Sequence, residues 1–174
     1  SEMEFQLRSW RLFPWLSGDH CVERQVQQFD LVNWVAGGPP LRVSGQGGRQ
    51  ARSAGSGYDH FALEYEYPSG LRLVSTSTQI TGGVSGNGVW VSGTQGLSDG
   101  RAILDHTAPG LGLRGQFHAG TLARRPGLEG EREGALVEFI QALRAGQPRR
   151  QLDAEVAAPL TGLMGRTAAY TGQV

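Results

Sequence analysis

Four groups of residues in this chain have types and spacings that can do chemistry. Glu23, Gln27 and Asp30 stand at i, i+4 and i+7 within the stretch 17–34. On a helix this spacing gathers two acids and an amide on one face, where they can line a pocket at a sheet edge. A solvated helix face is the alternative. Asp59 precedes His60 at the start of an alternating run, so a carboxylate can orient an imidazole toward a substrate hydroxyl. A structural His–Asp contact is equally consistent. Arg49 and Arg52 can fork onto a carboxylate or phosphate, or remain solvated loop arginines. Trp10, Phe13 and Trp15 can pack on the first helix or wall a sugar-sized pocket.

Composition removes other chemistries. All 16 basic residues are arginine, so no lysine Schiff base or lysine acid–base step can come from this chain. Formal net charge is zero, which leaves no electrostatic footprint for nucleic acid. The one cysteine, Cys21, excludes an internal disulfide and reads as a small buried hydrophobe. The four histidines, His20, His60, His106 and His118, lack ligand spacing, so no metal site is expected. No apolar run approaches the roughly 20 residues that span a membrane, and no signal peptide is visible. A cytoplasmic protein without membrane contact is the expectation.

The elements that must position these residues follow from periodicity. Residues 1–7 alternate around Met3, Phe5 and Leu7 and predict an edge strand. A helix is predicted from Ser17 to Trp34, capped by Ser17 or Asp19, with Val22, Val26 and Phe29 on its apolar stripe. Gly37, Gly38, Pro39 and Pro40 stop it. Strands are predicted at 41–48, 60–67 and 71–80, the last two joined by a Pro68-Ser-Gly70 turn. A second hairpin is predicted from Val89–Ser92 and Leu97–Leu104, followed by a loop over 105–130. A helix over 131–144 carries Leu136, Phe139, Ile140 and Leu143. A final helix, about 153–170, carries Val156, Leu160, Leu163, Met164 and Ala168, with Pro159 in its first turn or kinking it. The fold class is α+β: one domain over 1–174, an open, predominantly antiparallel sheet with helices packed on one face.

Several stretches, taken in order, carry a resemblance. They are Ser1-Glu-Met-Glu-Phe-Gln-Leu-Arg-Ser-Trp10, Trp15-Leu-Ser-Gly-Asp19, Asp30-Leu-Val-Asn-Trp34, Gly47-Gly-Arg-Gln50 and Tyr58-Asp-His-Phe61. Glu64-Tyr-Glu-Tyr67, Gly93-Thr-Gln-Gly96 and Met164-Gly-Arg-Thr-Ala-Ala-Tyr-Thr-Gly-Gln173 continue it. Together they resemble the C-terminal domain of the Gfo/Idh/MocA oxidoreductases, a glyceraldehyde-3-phosphate dehydrogenase-like C-terminal fold. The resemblance implies an enzyme of two domains. An N-terminal Rossmann domain binds NAD or NADP, and this domain supplies the pocket for a sugar or polyol and the oligomer contacts. The glycine-rich stretches 45–48 and 82–88 are not followed by a helix, so no cofactor is expected on this chain. The family's Asp-x-Gly-x-His-x-x-Asp pattern places Glu23 at the first Asp, Gln25 at the Gly, Gln27 at the His and Asp30 at the last Asp. The family His accepts the substrate's hydroxyl proton; Gln27 can hydrogen-bond but cannot titrate. His20 lies seven residues away, about 10 Å along one continuous helix.

The substrate-binding residues implied are Glu23, Gln27, Asp30, Arg49, His60 and Trp15, with no catalytic residue assigned. The expected function is the substrate-binding and oligomerisation domain of an NAD(P)-dependent sugar or polyol oxidoreductase, inactive alone. The alternative is a free-standing, non-catalytic module for self-association or carbohydrate binding. A homo-oligomer through the open sheet face is expected, using Phe61, Leu63 and Tyr65 or the opposite register.

Overall fold

The computed structural model describes residues 1–83, 86–94, 96–99, 103–105, 128–147 and 152–174. The chain forms two compact units, Ser1–Gly83 with Arg150–Val174, and Val84–Arg149.

The first unit opens on a helix, α1 (Glu2–Arg8), where an edge strand was expected. The Ser1 hydroxyl accepts from Glu4 N at 3.2 Å, and Glu4 reaches back to the terminal amine at 3.4 Å. Gln6 bonds Glu2 and Arg8 bonds Glu4, each at 2.9 Å across one turn. A capping box, i,i+4 pairs and acids ahead of a base outweigh a three-residue alternation. A 3-10 turn (Trp10–Leu12) and α2 (Pro14–Ser17) follow.

The helix expected over 17–34 is two helices, α3 (His20–Glu23) and α4 (Val26–Ala36), broken at Arg24 and Gln25. Asp19 caps α3 and takes a φ of 76°, the left-handed region that non-glycine residues seldom occupy. Gly37, with φ 79°, ends α4 as expected.

Three antiparallel strands follow, β1 (Arg42–Gly48), β2 (His60–Glu66) and β3 (Arg72–Thr78), in that order across the sheet. Tyr67 and Gly70 close the β2–β3 turn with a 2.9 Å bond, and Gly70 supplies the positive φ. The register aligns Val43, Tyr65 and Leu73, then Gly45, Leu63 and Ser75, then Gly47, Phe61 and Ser77. Phe61, Leu63 and Tyr65 are all buried. They therefore form the core, and the face left open is the opposite register: Ser44, Gln46, Ala62, Glu64, Val74 and Thr76.

The long helix α6 (Leu152–Thr171) packs on β1 and against α3 and α4. Pro159 lies inside it rather than in its first turn. Its buried face is not the stripe of large residues. Of the expected stripe, Val156 and Leu160 are exposed, Leu163 and Met164 half-buried and only Ala168 buried, whereas Ala158, Thr161, Gly162 and Gly165 outside it are buried. The reason is close approach. A Cβ on Gly162 would stand 3.2 Å from Val22 Cα, and one on Gly165 would overlap the Tyr65 hydroxyl. Beneath α6, Asn33 donates to Thr161 Oγ1 at 3.0 Å and accepts from Tyr67 at 2.9 Å, so the buried polar groups of this seam are matched.

The second unit holds β4 (Val91–Ser92), β5 (Gly96–Ser98) and β6 (Ile103–Asp105), antiparallel in sequence order, and α5 (Leu128–Arg144). The run 97–104, expected as one strand, is thus shared by two. Leu136, Phe139, Ile140 and Leu143 on α5 are exposed. Most of 105–130, with His106 and His118, lies outside the described residues. The class is α+β, with antiparallel sheets and, in the first unit, helices on one sheet face.

Candidate functional site

In the first unit a polar cluster is buried between α3, the loop before β2, and β3. His20 is almost fully buried. Its Nδ1 lies 3.2 Å from the Tyr58 carbonyl, and its Nε2 lies 3.0 Å from Ser77 Oγ. A carbonyl only accepts, so Nδ1 carries a proton, and in the neutral ring Nε2 is left to accept from the Ser77 hydroxyl. Asp19, fully buried, places Oδ1 3.6 Å from the same Nδ1. Asp19 also accepts from His20 N (2.8 Å), Tyr58 N (3.0 Å) and the Tyr170 hydroxyl (2.7 Å). Burial pushes its carboxyl up, but the bonds from His20, Tyr170 and Tyr58 outweigh that and hold it below its ordinary value. Tyr58 and Tyr170 stack at 3.8 Å over this cluster. Beside it, burial pushes the Cys21 thiol up to about 12, which agrees with an inert buried hydrophobe.

The α3–α4 break sets the expected polar row. Glu23 ends α3 and pairs with Arg11 (3.2 Å) and Arg24 (3.4 Å). Gln27 and Asp30 lie on α4 and are exposed. Gln25, at the break, donates to Ser75 Oγ at 3.4 Å, which ties this helix start to β3. Trp15 is exposed and donates to Gln6 at 3.0 Å, while Phe13 is buried.

His60 belongs elsewhere. Phe61 points under the helices, so His60 lies on the opposite, open face of the sheet, apart from the α3–α4 row. Its Nδ1 lies 2.8 Å from Asp59 Oδ1. The other oxygen of Asp59 accepts three main-chain N–H groups, from Gln50 (2.9 Å), Ala51 (2.7 Å) and Arg52 (3.1 Å). Asp59 is fully buried, which raises its carboxyl, yet these bonds and His60 hold it far below its ordinary value. Arg49 is exposed and donates to the Arg52 carbonyl at 3.0 Å; Arg52 bonds Gln79. The six expected binding residues are therefore not one constellation. Ser77 carries no such signal in the sequence: it is one hydroxyl in a run of four, Ser75 to Thr78, and stands 57 residues from His20.

A cavity of about 590 Å³ lies between β1 and α6, lined by Leu41, Val43, Leu160, Leu163, Met164 and Ala168 among others. It is largely apolar and separate from the polar cluster. Among the described residues, no three His, Cys, Asp or Glu gather to hold a metal ion. No described helix is long and apolar enough to cross a membrane. Gly45, Gly47 and Gly48 sit inside β1, laddered to β2 and followed by no helix. They do not fit a dinucleotide pyrophosphate, which needs a glycine turn opening onto a helix N-terminus.

Fold and site together define an α+β domain of antiparallel sheets with a buried Asp19–His20–Ser77 cluster beneath its helices. The family model for the GFO/IDH/MocA C-terminal domain matches residues 3–98, and the chain belongs to this family. Among solved structures, GenD2 from gentamicin A biosynthesis, crystallised with NAD, has the same fold at a TM-score of 0.65 and 20% identity. The match covers 94% of this chain and 50% of GenD2, so the chain spans about half the length of that structure. No curated protein matches.

Proposed function

We propose that this chain is the substrate-holding domain of an NAD(P)-dependent oxidoreductase that acts in the cytoplasm on a sugar or polyol. Membership of a family of oxidoreductase C-terminal domains carries the reading. The polar positions Glu23, on α3, and Gln27 and Asp30, exposed on α4, carry groups suited to hydroxyl recognition. The chain would bind a polyol without oxidising it. Gln27 cannot take a proton, and hydride transfer needs a nicotinamide dinucleotide that its glycines do not fit. GenD2, in its NAD complex, supports that type of cofactor for a complete enzyme. Self-association through the open sheet face is the second part of the reading.

Calorimetric titration with myo-inositol and with glucose tests this. Saturable heat is expected from at least one, weakened about ten-fold in Gln27→Ala and Asp30→Ala, roughly 1.4 kcal/mol per substitution. Titration with NAD should give no heat. Binding of neither polyol, or unchanged affinity in both variants, would reject the pocket.

A further inference from the structure

We propose that Ser77, His20 and Asp19 form a proton relay whose outer end, the Ser77 hydroxyl, meets a hydroxyl group of the bound polyol. This rests on the reading of the domain as polyol-binding. It assigns the proton acceptor that Gln27 cannot be.

The hydrogen-bond order fixes the direction. The Tyr58 carbonyl requires a proton on His20 Nδ1, so the only lone pair of the ring points at Ser77, 3.0 Å away. Ser77 lies on the edge strand β3 and is partly exposed, whereas His20 and Asp19 are sealed. The serine is thus the member of the three most open to solvent or ligand. When a ligand hydroxyl gives its proton to Ser77 Oγ, the serine's own proton moves to Nε2. The ring becomes an imidazolium, and Asp19 Oδ1, 3.6 Å from Nδ1, is the charge that stabilises it. Asp19 is locked in place by His20 N, Tyr58 N and Tyr170, so it need not move. Its left-handed backbone, φ 76°, shows how far the chain is bent to put that carboxylate there. Arg52, bonded to Gln79 two residues beyond Ser77, places a guanidinium near the same strand end. The position also suits the pocket, since Gln25 reaches Ser75, the next residue on this face of β3.

The hydroxyl can be read without a partner domain. Phenylmethanesulfonyl fluoride reacts with a serine whose proton a base removes: the Oγ–S bond forms, S–F breaks, fluoride leaves, and Nε2 takes the proton. Mass spectrometry of the whole chain should show one adduct, at Ser77, formed at least ten-fold faster than in His20→Gln and absent from Ser77→Ala. In the wild type the labelling rate should follow the titration of the His20 ring seen by NMR, which keeps the test valid if His20→Gln fails to fold. Saturating myo-inositol or glucose should slow labelling. An unlabelled Ser77, or a rate indifferent to the His20 titration, would overturn the relay while leaving polyol binding to calorimetry. Labelling that neither polyol slows, in a chain that binds one by calorimetry, would overturn the placement of Ser77 in the pocket. Labelling in a chain that binds neither would leave an activated serine and remove the polyol reading.

Discussion

At the scale of single residues, two buried aspartates organise the first unit, and each holds a neighbouring histidine. The Asp59–His60 contact is legible in the sequence because the two are adjacent. The Ser77–His20 contact is not, because only β3 pairing beside β2 brings them together. Asp59 also fixes the loop after β1, with three main-chain donors on one oxygen. Its carboxyl is depressed in the folded state, so the native form resists protonation more than the unfolded chain does. That stability is complete above the ordinary carboxyl value of 3.8 and drains away as pH falls below it. Asp59→Asn should cost about 1–3 kcal/mol near neutrality. It should also make the fall in stability between about pH 5 and 2 shallower, though not flat, because Asp19 is depressed too. Urea unfolding across that range checks both, and parallel pH profiles would refute the assignment.

At the scale of elements, local pattern located nearly every strand and helix of the first unit but misjudged three features. The alternation of Met3, Phe5 and Leu7 looked like a strand, although Ser1 and Glu4 already spelled a capping box. The α3–α4 break leaves no mark in sequence; hydrogen bonding of Gln25 to β3 lies across the break. The α6 stripe of large residues misled because the tightest contact in the unit demands small ones. Gly165 shows this best. Its φ is ordinary, so only space decides, and a methyl there meets the Tyr65 hydroxyl. Gly165→Ala should destabilise by about 1–3 kcal/mol. Tyr65→Phe should cost about 1 kcal/mol for the lost 3.2 Å bond to the Thr161 carbonyl. The double variant should be more stable than the sum predicts, because removing the hydroxyl relieves the clash. Additivity in thermal or urea unfolding would show that α6 and β2 are not in such close contact.

At the scale of the whole molecule, the self-association proposed above would use the open face of the first sheet. Its middle carries small residues, Ser44, Ala62 and Thr76, with Val74 71% exposed among them. One end carries alternating charges, with Arg42 on Glu66 at 2.6 Å and Arg72 on Glu64 at 3.2 Å. A two-fold related copy offers the same small centre and a charge row that can pair in reverse. Area sets the strength. Three strands at about 4.8 Å spacing and seven residues at about 3.4 Å give roughly 340 Å² per copy. A stable interface needs about 800 Å² per partner. This face alone should therefore give a weak, concentration-dependent dimer, dissociating in the tens of micromolar or above. Val74→Arg or Ala62→Arg should yield a monomer at every concentration, with unfolding unchanged because both side chains face solvent. Sedimentation equilibrium from 5 to about 500 μM separates the outcomes. A wild type that stays monomeric throughout would exclude this face as an assembly surface, and a dimer persisting at nanomolar concentration would require more area than three strands supply.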